Sequence, residues 1–109
     1  KTPTMQMTIK WSKSAKKDLD NIYDFYSNHS EMLATKIYNS LIDDADRLLQ
    51  FPFMAPKELL LTDEAKEYRS LISNKHYKII YYVKRSTIRI AAVWDCRQNT
   101  KRLKKLFNH

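Results

Sequence analysis

Arg69, Lys78, Arg89 and Arg97 fall on or beside strand-forming runs in the second half of the chain, and Lys101, Arg102, Lys104 and Lys105 follow them in a tail. Cations carried on ordered backbone can hold phosphates or carboxylates in a fixed geometry, which a floppy basic arm cannot. Residues 75–109 hold ten Lys/Arg, Lys75 included, against Asp95 alone, whereas residues 1–74 hold ten against eleven Asp/Glu. The chain's net charge of +8 is therefore +9 in the last third, offset by −1 before it. Such a surface calls for an anionic partner: nucleic acid, an acidic protein segment or an anionic membrane.

Other chemistries are poorly served. There is no glycine, where average usage of about 7% would give about eight. Phosphate-cradling loops and Gly-based nucleophile elbows are thus missing, and nucleotide-dependent and serine-hydrolase chemistry lose their supports. Cys96 is the lone cysteine, without Cys or His partners at metal spacing, so neither a disulfide nor a metal site is expected and no cofactor is implied. It reads as a small, semi-buried side chain without a fixed base beside it. His29, His76 and His109 read first as surface residues, and Tyr77, Tyr81 and Tyr82 as strand formers that pack. The longest apolar runs are a few residues, far below the roughly 20 of a membrane helix, and Lys1 to Met7 lacks the features of a secretory signal. A soluble, cytoplasmic protein without a membrane partner is the expectation.

The elements that must carry these side chains follow from periodicity. Met5, Met7, Ile9 and Trp11 alternate with polar residues, the mark of a half-buried strand. Ser12 or Ser14 can cap a helix whose apolar stripe is Ala15, Leu19, Ile22, Tyr23 and Tyr26. After a turn near Asn28 to Ser30, a second helix is written by Ala34, Ile37, Tyr38, Leu41, Ile42, Ala45, Leu48 and Leu49, ending at Phe51-Pro52. The short connection predicts an antiparallel helical hairpin. Leu59 to Glu67 is open between a strand from Leu59 and a loop with a helical turn through Asp63 to Glu67. Three strands then follow at Tyr68 to Ser73, His76 or Tyr77 to Val83, and Thr87 to Trp94, the last with Ile88, Ile90, Ala92 and Trp94 on one face. Asn99 to Phe107, with Leu103, Leu106 and Phe107, has the spacing of a short helix. The expectation is one α+β domain over residues 1–109: an N-terminal strand, a helical hairpin and a three-stranded antiparallel meander. The helices pack on one face of a small, mainly antiparallel sheet, and the other face and the tail stay open to a partner.

In this order, Ile9-Lys10-Trp11-Ser12 with Ala15 and Asp18-Leu19, Ala34, Ile37 and Leu41, Leu48-x-x-x-Pro52, Arg69-x-Leu71, Tyr77-Lys78-Ile79-Ile80-Tyr81 with Val83, and Trp94-Asp95-x-Arg97-Gln98-Asn99 resemble a toxin of the RelE/ParE superfamily of bacterial type II toxin-antitoxin systems. The resemblance spans nearly the whole chain; where the family pattern has Gly three residues after the helix-exit proline, this chain has Ala55. It implies a growth-arresting toxin neutralised by a cognate antitoxin whose C-terminal segment wraps it. A homodimer and a toxin–antitoxin hetero-oligomer both stay open.

The superfamily divides between RelE-like endoribonucleases, which cut messenger RNA on the ribosome, and ParE-like inhibitors of DNA gyrase. Metal-independent RNA cleavage needs a base for the 2'-hydroxyl, a cation for the phosphorane and an acid for the leaving oxygen. Arg97, Lys78 and Arg69 are the candidate cations, and His76 and Tyr77 the candidate proton-transfer groups. Lys75, Arg89, Lys101, Arg102, Lys104 and Lys105 are candidate target- or phosphate-binding residues. Lys78 stands where ribonuclease-branch members often have an arginine, and as a point charge it lacks the bidentate fork. The last strand ends in Trp94-Asp95-Cys96-Arg97-Gln98, without the His or Tyr common there, and Asp95 beside Arg97 reads as an ionised partner. The balance leans toward gyrase inhibition and leaves enzymatic activity open; a non-catalytic nucleic-acid-binding module and an inactive toxin homologue are the further alternatives.

Overall fold

The computed structural model describes residues 6–62, 64–98 and 100–107. Met5, Asp63, Asn99 and His109 lie outside the described residues, as does the side chain of Leu106. Strand β1 (Thr8–Trp11) leads into helix α1 (Lys13–Ser27) and helix α2 (Glu31–Asp46), which tightens into a 3-10 turn at Arg47–Leu49. Strands β2 (Arg69–Ser73), β3 (Tyr77–Lys84) and β4 (Thr87–Asp95) form the meander, and helix α3 (Thr100–Phe107) follows. The sheet order is β1-β4-β3-β2, with β1 parallel to β4 and the other pairs antiparallel. The α+β architecture with the helical hairpin on one face is the one expected from periodicity.

Ser12 shows how the sequence sets the first corner. Its side chain accepts the Ala15 amide at 3.0 Å as the cap of α1, its hydroxyl donates to the Ala91 carbonyl at 3.1 Å, and its backbone amide donates to the Ile90 carbonyl. One residue thus ends β1's pairing and starts the helix. Six residues further, Asp18 accepts the Val93 amide at 2.9 Å. The register of β1 stops at Ile90, so Val93 on β4 has no strand neighbour on that side, and the Asp18 carboxylate supplies the missing acceptor. The cost is visible: burial pushes the Asp18 carboxyl above its ordinary value, opposed by the bond from Val93.

Two cores are built on opposite sheet faces. Under the hairpin, Ala15, Leu19, Leu41, Ala45 and Leu48 meet Tyr77, Ile79, Tyr81, Ile88, Ile90 and Val93. On the outer face, Ile80, Ala92 and Trp94 meet Leu61 and Leu103, with Tyr68 and Phe107 alongside. This corrects two expectations. Ala92 and Trp94 do not share a face with Ile88 and Ile90, because Ile80 pairs with Ala92 while Tyr81 pairs with Ile90. Ala91 is therefore an extra residue in a β-bulge that reverses the alternation. Nor is the whole outer face left open, since the residues the bulge turns outward, Ala92 and Trp94, are covered by α3 and the turn at Leu61.

The segment before β2 forms no strand from Leu59, and of the helical turn expected through Asp63 to Glu67 the described part, Glu64 to Glu67, is not helical. Leu59–Leu61 makes a 3-10 turn whose first amides are capped by Glu58, its carboxylate accepting from Leu60 at 3.0 Å. Only one of the three leucines, Leu61, is buried in the turn's contact with the sheet. Just upstream, Glu58 donates its amide to the Tyr68 carbonyl and Ser70 donates to the Pro56 carbonyl, so residues 56–58 shield the start of edge strand β2. With no glycine available, the left-handed turn positions fall to Asn74 (φ 51°), Lys75 (φ 64°) and Arg85 (φ 57°). Ala55, which replaces the family's glycine, is not among the positive-φ residues, so a side chain fits there without strain.

Candidate functional site

At the end of the sheet where β3 begins and β4 finishes, Tyr77 pairs with Asp95 across the strands. Asp95 grips Arg97 in three ways: its Oδ1 accepts from the Arg97 amide and Nε at 2.9 Å each, and its Oδ2 accepts from Nη2 at 2.8 Å. Two parallel bonds fix the plane of the guanidinium. The carboxyl of Asp95 lies below its ordinary value, held there by the hydrogen bond from Arg97 against a smaller effect of burial, with the nearby His76 charge adding in the same sense. Arg97 is raised in turn, first by Asp95 and then by a hydrogen bond with Tyr26. Tyr26 also accepts from the Tyr77 hydroxyl at 3.2 Å. A connected row, Tyr77–Tyr26–Arg97–Asp95, therefore lines one end of the fold.

Next to this row is a cleft of about 500 Å³ bordered by Asp18, Phe25, Tyr77, Asp95, Arg97 and Arg102. Burial, the bond to Tyr26 and the Asp95 charge all raise the Tyr77 phenol above its ordinary value, so it stays protonated, with its hydroxyl hydrogen given to Tyr26. His76 is exposed in the turn before β3, and its carbonyl accepts the Cys96 amide at 2.7 Å. The Cys96 thiol is raised by burial, so it is not a ready nucleophile. Among the described residues no group of three or more His, Cys, Asp and Glu side chains is arranged to hold a metal ion. None of the helices formed by these residues is long and apolar enough to cross a membrane.

The other candidate residues are placed elsewhere. Lys78 points to the outer face, where Nζ donates to Glu58 Oε1 at 2.7 Å. Glu58 is almost wholly buried, with 3% of its side chain exposed. Burial alone would push its carboxyl up, but the bond from Lys78, the Leu60 amide and a hydrogen bond with Ser70 outweigh it and leave the group below its ordinary value. Arg69 faces the hairpin side, where Nη1 donates to the Ala55 carbonyl at 2.7 Å and Nη2 to Glu67 at 3.0 Å, with the Phe53 ring 5.1 Å from the guanidinium carbon. Together with Tyr81, whose hydroxyl donates to the Pro52 carbonyl at 2.9 Å, it clamps the loop after α2. Arg89 lies on the outer face opposite Tyr82. Lys75 is in the β2–β3 turn, and Lys101, Arg102, Lys104 and Lys105 lie on α3, exposed around the fully buried Leu103.

The structure thus brings Arg97, His76 and Tyr77 to one end of the sheet and leaves Lys78, Arg69 and Arg89 at three other places. Tyr26, Asp18 and Glu58 were not singled out from sequence as site or pairing residues. Tyr26 reads as part of a helix stripe, and nothing in its local spacing shows that it meets Tyr77, fifty-one positions away.

A chain described as belonging to the chromosomal ParDE toxin-antitoxin system of P. aeruginosa has the same fold, with a TM-score of 0.70 at 22% identity over 84% of this chain and 98% of that one. Comparison with curated proteins gave no match. The family model for the ParE toxin of type II toxin-antitoxin systems, parDE, matches residues 9–100, from the second residue of β1 to the first of α3. The chain belongs to this ParE toxin family.

Proposed function

We propose that this toxin arrests growth by binding and inhibiting DNA gyrase, without cutting RNA, and that a cognate antitoxin neutralises it. Membership of the ParE toxin family supports the choice of target, and the ParDE description of its structural relative supports an antitoxin partner. One observation carries the non-catalytic part. Arg69, Lys78 and Arg97 are each engaged by a carboxylate of their own chain, Glu67, Glu58 and Asp95, and they lie in three separate surroundings. Phosphodiester cleavage would need such cations directed at one phosphorane, with a base and an acid in reach. Among the described residues, the carboxylate beside Arg97 is Asp95, which is taken up by the guanidinium and held below its ordinary value, making it a weak base, and the Tyr77 hydroxyl gives its hydrogen to Tyr26. The net charge of +8 suits an antitoxin with an acidic binding segment, whose association would be fast and salt-sensitive.

Induction in a bacterium, combined with assays on the purified chain, tests this. Inhibition of gyrase supercoiling together with DNA damage and intact transcripts is the expected result. Ribosome-dependent transcript cleavage with normal supercoiling would overturn the proposal and restore the endoribonuclease reading. Wild type and Arg97→Ala at equal protein level provide the internal comparison, since unchanged growth with both would identify an inactive homologue.

A further inference from the structure

The outer face of the sheet holds a second cleft, of about 530 Å³, between the β1–α1 corner and the start of β2. Lys10, Lys13, Lys66 and Arg89 line it, and among the described residues none that lines it is acidic. The arrangement follows from register. Lys10 on β1 pairs with Arg89 on β4, and Arg89 pairs with Tyr82 on β3, so two cations and an aromatic ring stand in one row across neighbouring strands. Tyr68 meets Tyr82 edge to face at 5.5 Å between ring centroids, and Lys66 Nζ lies 5.0 Å from the Tyr82 centroid. Lys13 opens α1 beside this row, and the first turn of that helix has no acidic residue.

Elsewhere several cations are answered by carboxylates: Lys78 by Glu58, Lys57 and Arg69 by Glu67, Arg47 by Asp44, and Arg97 by Asp95. The cleft departs from this pattern at Arg89, whose Nε is buried without a hydrogen-bond partner. A buried donor left unpaired carries a desolvation cost that no contact within the protein offsets, and a planar guanidinium fork fits a phosphate.

We propose that this cleft binds the phosphodiester backbone of a nucleic acid. Successive strands about 4.8 Å apart set Lys10 and Arg89 as adjacent steps of a cationic track, and the tyrosine edges beside it offer surface to sugars and bases. Three of its four cations come from residues 1–74, the part of the chain whose formal charge is −1. The inference does not rest on the gyrase reading: a toxin that inhibits gyrase through protein contacts alone would fail the test below and leave that reading intact.

The test is fluorescence anisotropy of the full chain with a labelled single-stranded oligonucleotide and with its duplex, over a salt series. With four phosphate contacts, the slope of log affinity against log salt should be about −3 on the single strand and slightly steeper on the duplex. The Lys10→Ala/Lys13→Ala/Lys66→Ala variant should lose about tenfold or more in affinity at 0.1 M salt and about two units of slope. The charge-matched Lys36→Ala/Arg47→Ala/Lys57→Ala variant should stay within about twofold of wild type, because its cations lie outside the cleft. Arg89→Met should weaken binding by a similar factor without lowering the melting temperature, since it removes an unpaired buried donor. Equal losses in the two triple variants would overturn the proposal in favour of diffuse attraction, and so would a wild type that fails to bind. Polyglutamate competing as well as the oligonucleotide would overturn it in favour of an acidic protein partner. An Arg89→Met chain that loses stability but keeps its affinity would remove Arg89 from the site.

Discussion

Lys78 is a candidate phosphate-binding cation by resemblance to the ribonuclease branch, yet its ammonium is 2.7 Å from a carboxylate that has only 3% of its side chain exposed. Replacing it by methionine preserves the aliphatic stem and removes the charge, leaving Glu58 buried without its cation. Breaking a buried pair from one side typically costs about 3–5 kcal/mol, because the remaining charge is stranded. At about 4 °C or more per kcal/mol for a domain of this size, the melting temperature of Lys78→Met should fall by more than about 10 °C at pH 7. The double variant Glu58→Gln/Lys78→Met strands no charge and should recover most of the loss. The pH dependence carries the signature. In the wild type the folded pKa of Glu58 is depressed, so its contribution is present above the unfolded value of 4.5 and is lost as pH falls through the folded one. In Lys78→Met burial acts unopposed by the ammonium, and protonating Glu58 relieves the fold. The deficit should therefore shrink as pH is lowered from 7 toward 5. Thermal and urea unfolding of the three chains across that range measures it. A Lys78→Met chain of wild-type stability that no longer arrests growth would refute this account and make Lys78 a target-facing cation.

Substitutions at three further positions probe how the candidate site is held. Asp18→Ala orphans the Val93 amide and should cost about 1–3 kcal/mol by urea unfolding. Asp18→Asn keeps an acceptor and discards a buried charge, so it should cost less at pH 7; an Asn variant as unstable as the Ala variant would contradict the assigned role. Ser12→Ala removes the α1 cap and the bond to the Ala91 carbonyl together, for an expected loss of about 1–2 kcal/mol and faster amide exchange in the first turn of α1. Leu103→Ala opens a cavity where α3 meets Ile80, Ala92 and Trp94. It should cost about 2–5 kcal/mol and make residues 100–107 the first site of limited proteolysis, whereas a stable, resistant variant would show that α3 is not anchored on the sheet.

The hairpin, the meander and their order were legible because each rests on short-range periodicity. Ala15, Leu19, Ile22 and Tyr26 recur at helical steps, and Ser12 and Ser30 precede the helices they cap at the Ala15 and Leu33 amides. Asp95 could also be read as the ionised partner of Arg97, since the two stand two positions apart and close a local bidentate pair. Sequence failed where one residue changed the parity of a strand. Ala91 is small and unremarkable, yet as a bulge it sends Ala92 and Trp94 to the outer face, creates the second core and gives α3 a place to dock.

Charge shows the same division. Composition established a basic chain without glycine, and so ruled against phosphate loops before any geometry was known. It assigned the excess of positive charge to the last third, but folding decides which cations are answered. Glu58 reaches across twenty positions to Lys78, while Lys10, Lys13 and Lys66 gather with Arg89 in a cleft without acids. Local spacing determines the elements because helix and strand periods are properties of neighbouring residues. Which charges face each other is set by strand register and by the bulge, long-range pairings that linear spacing does not encode.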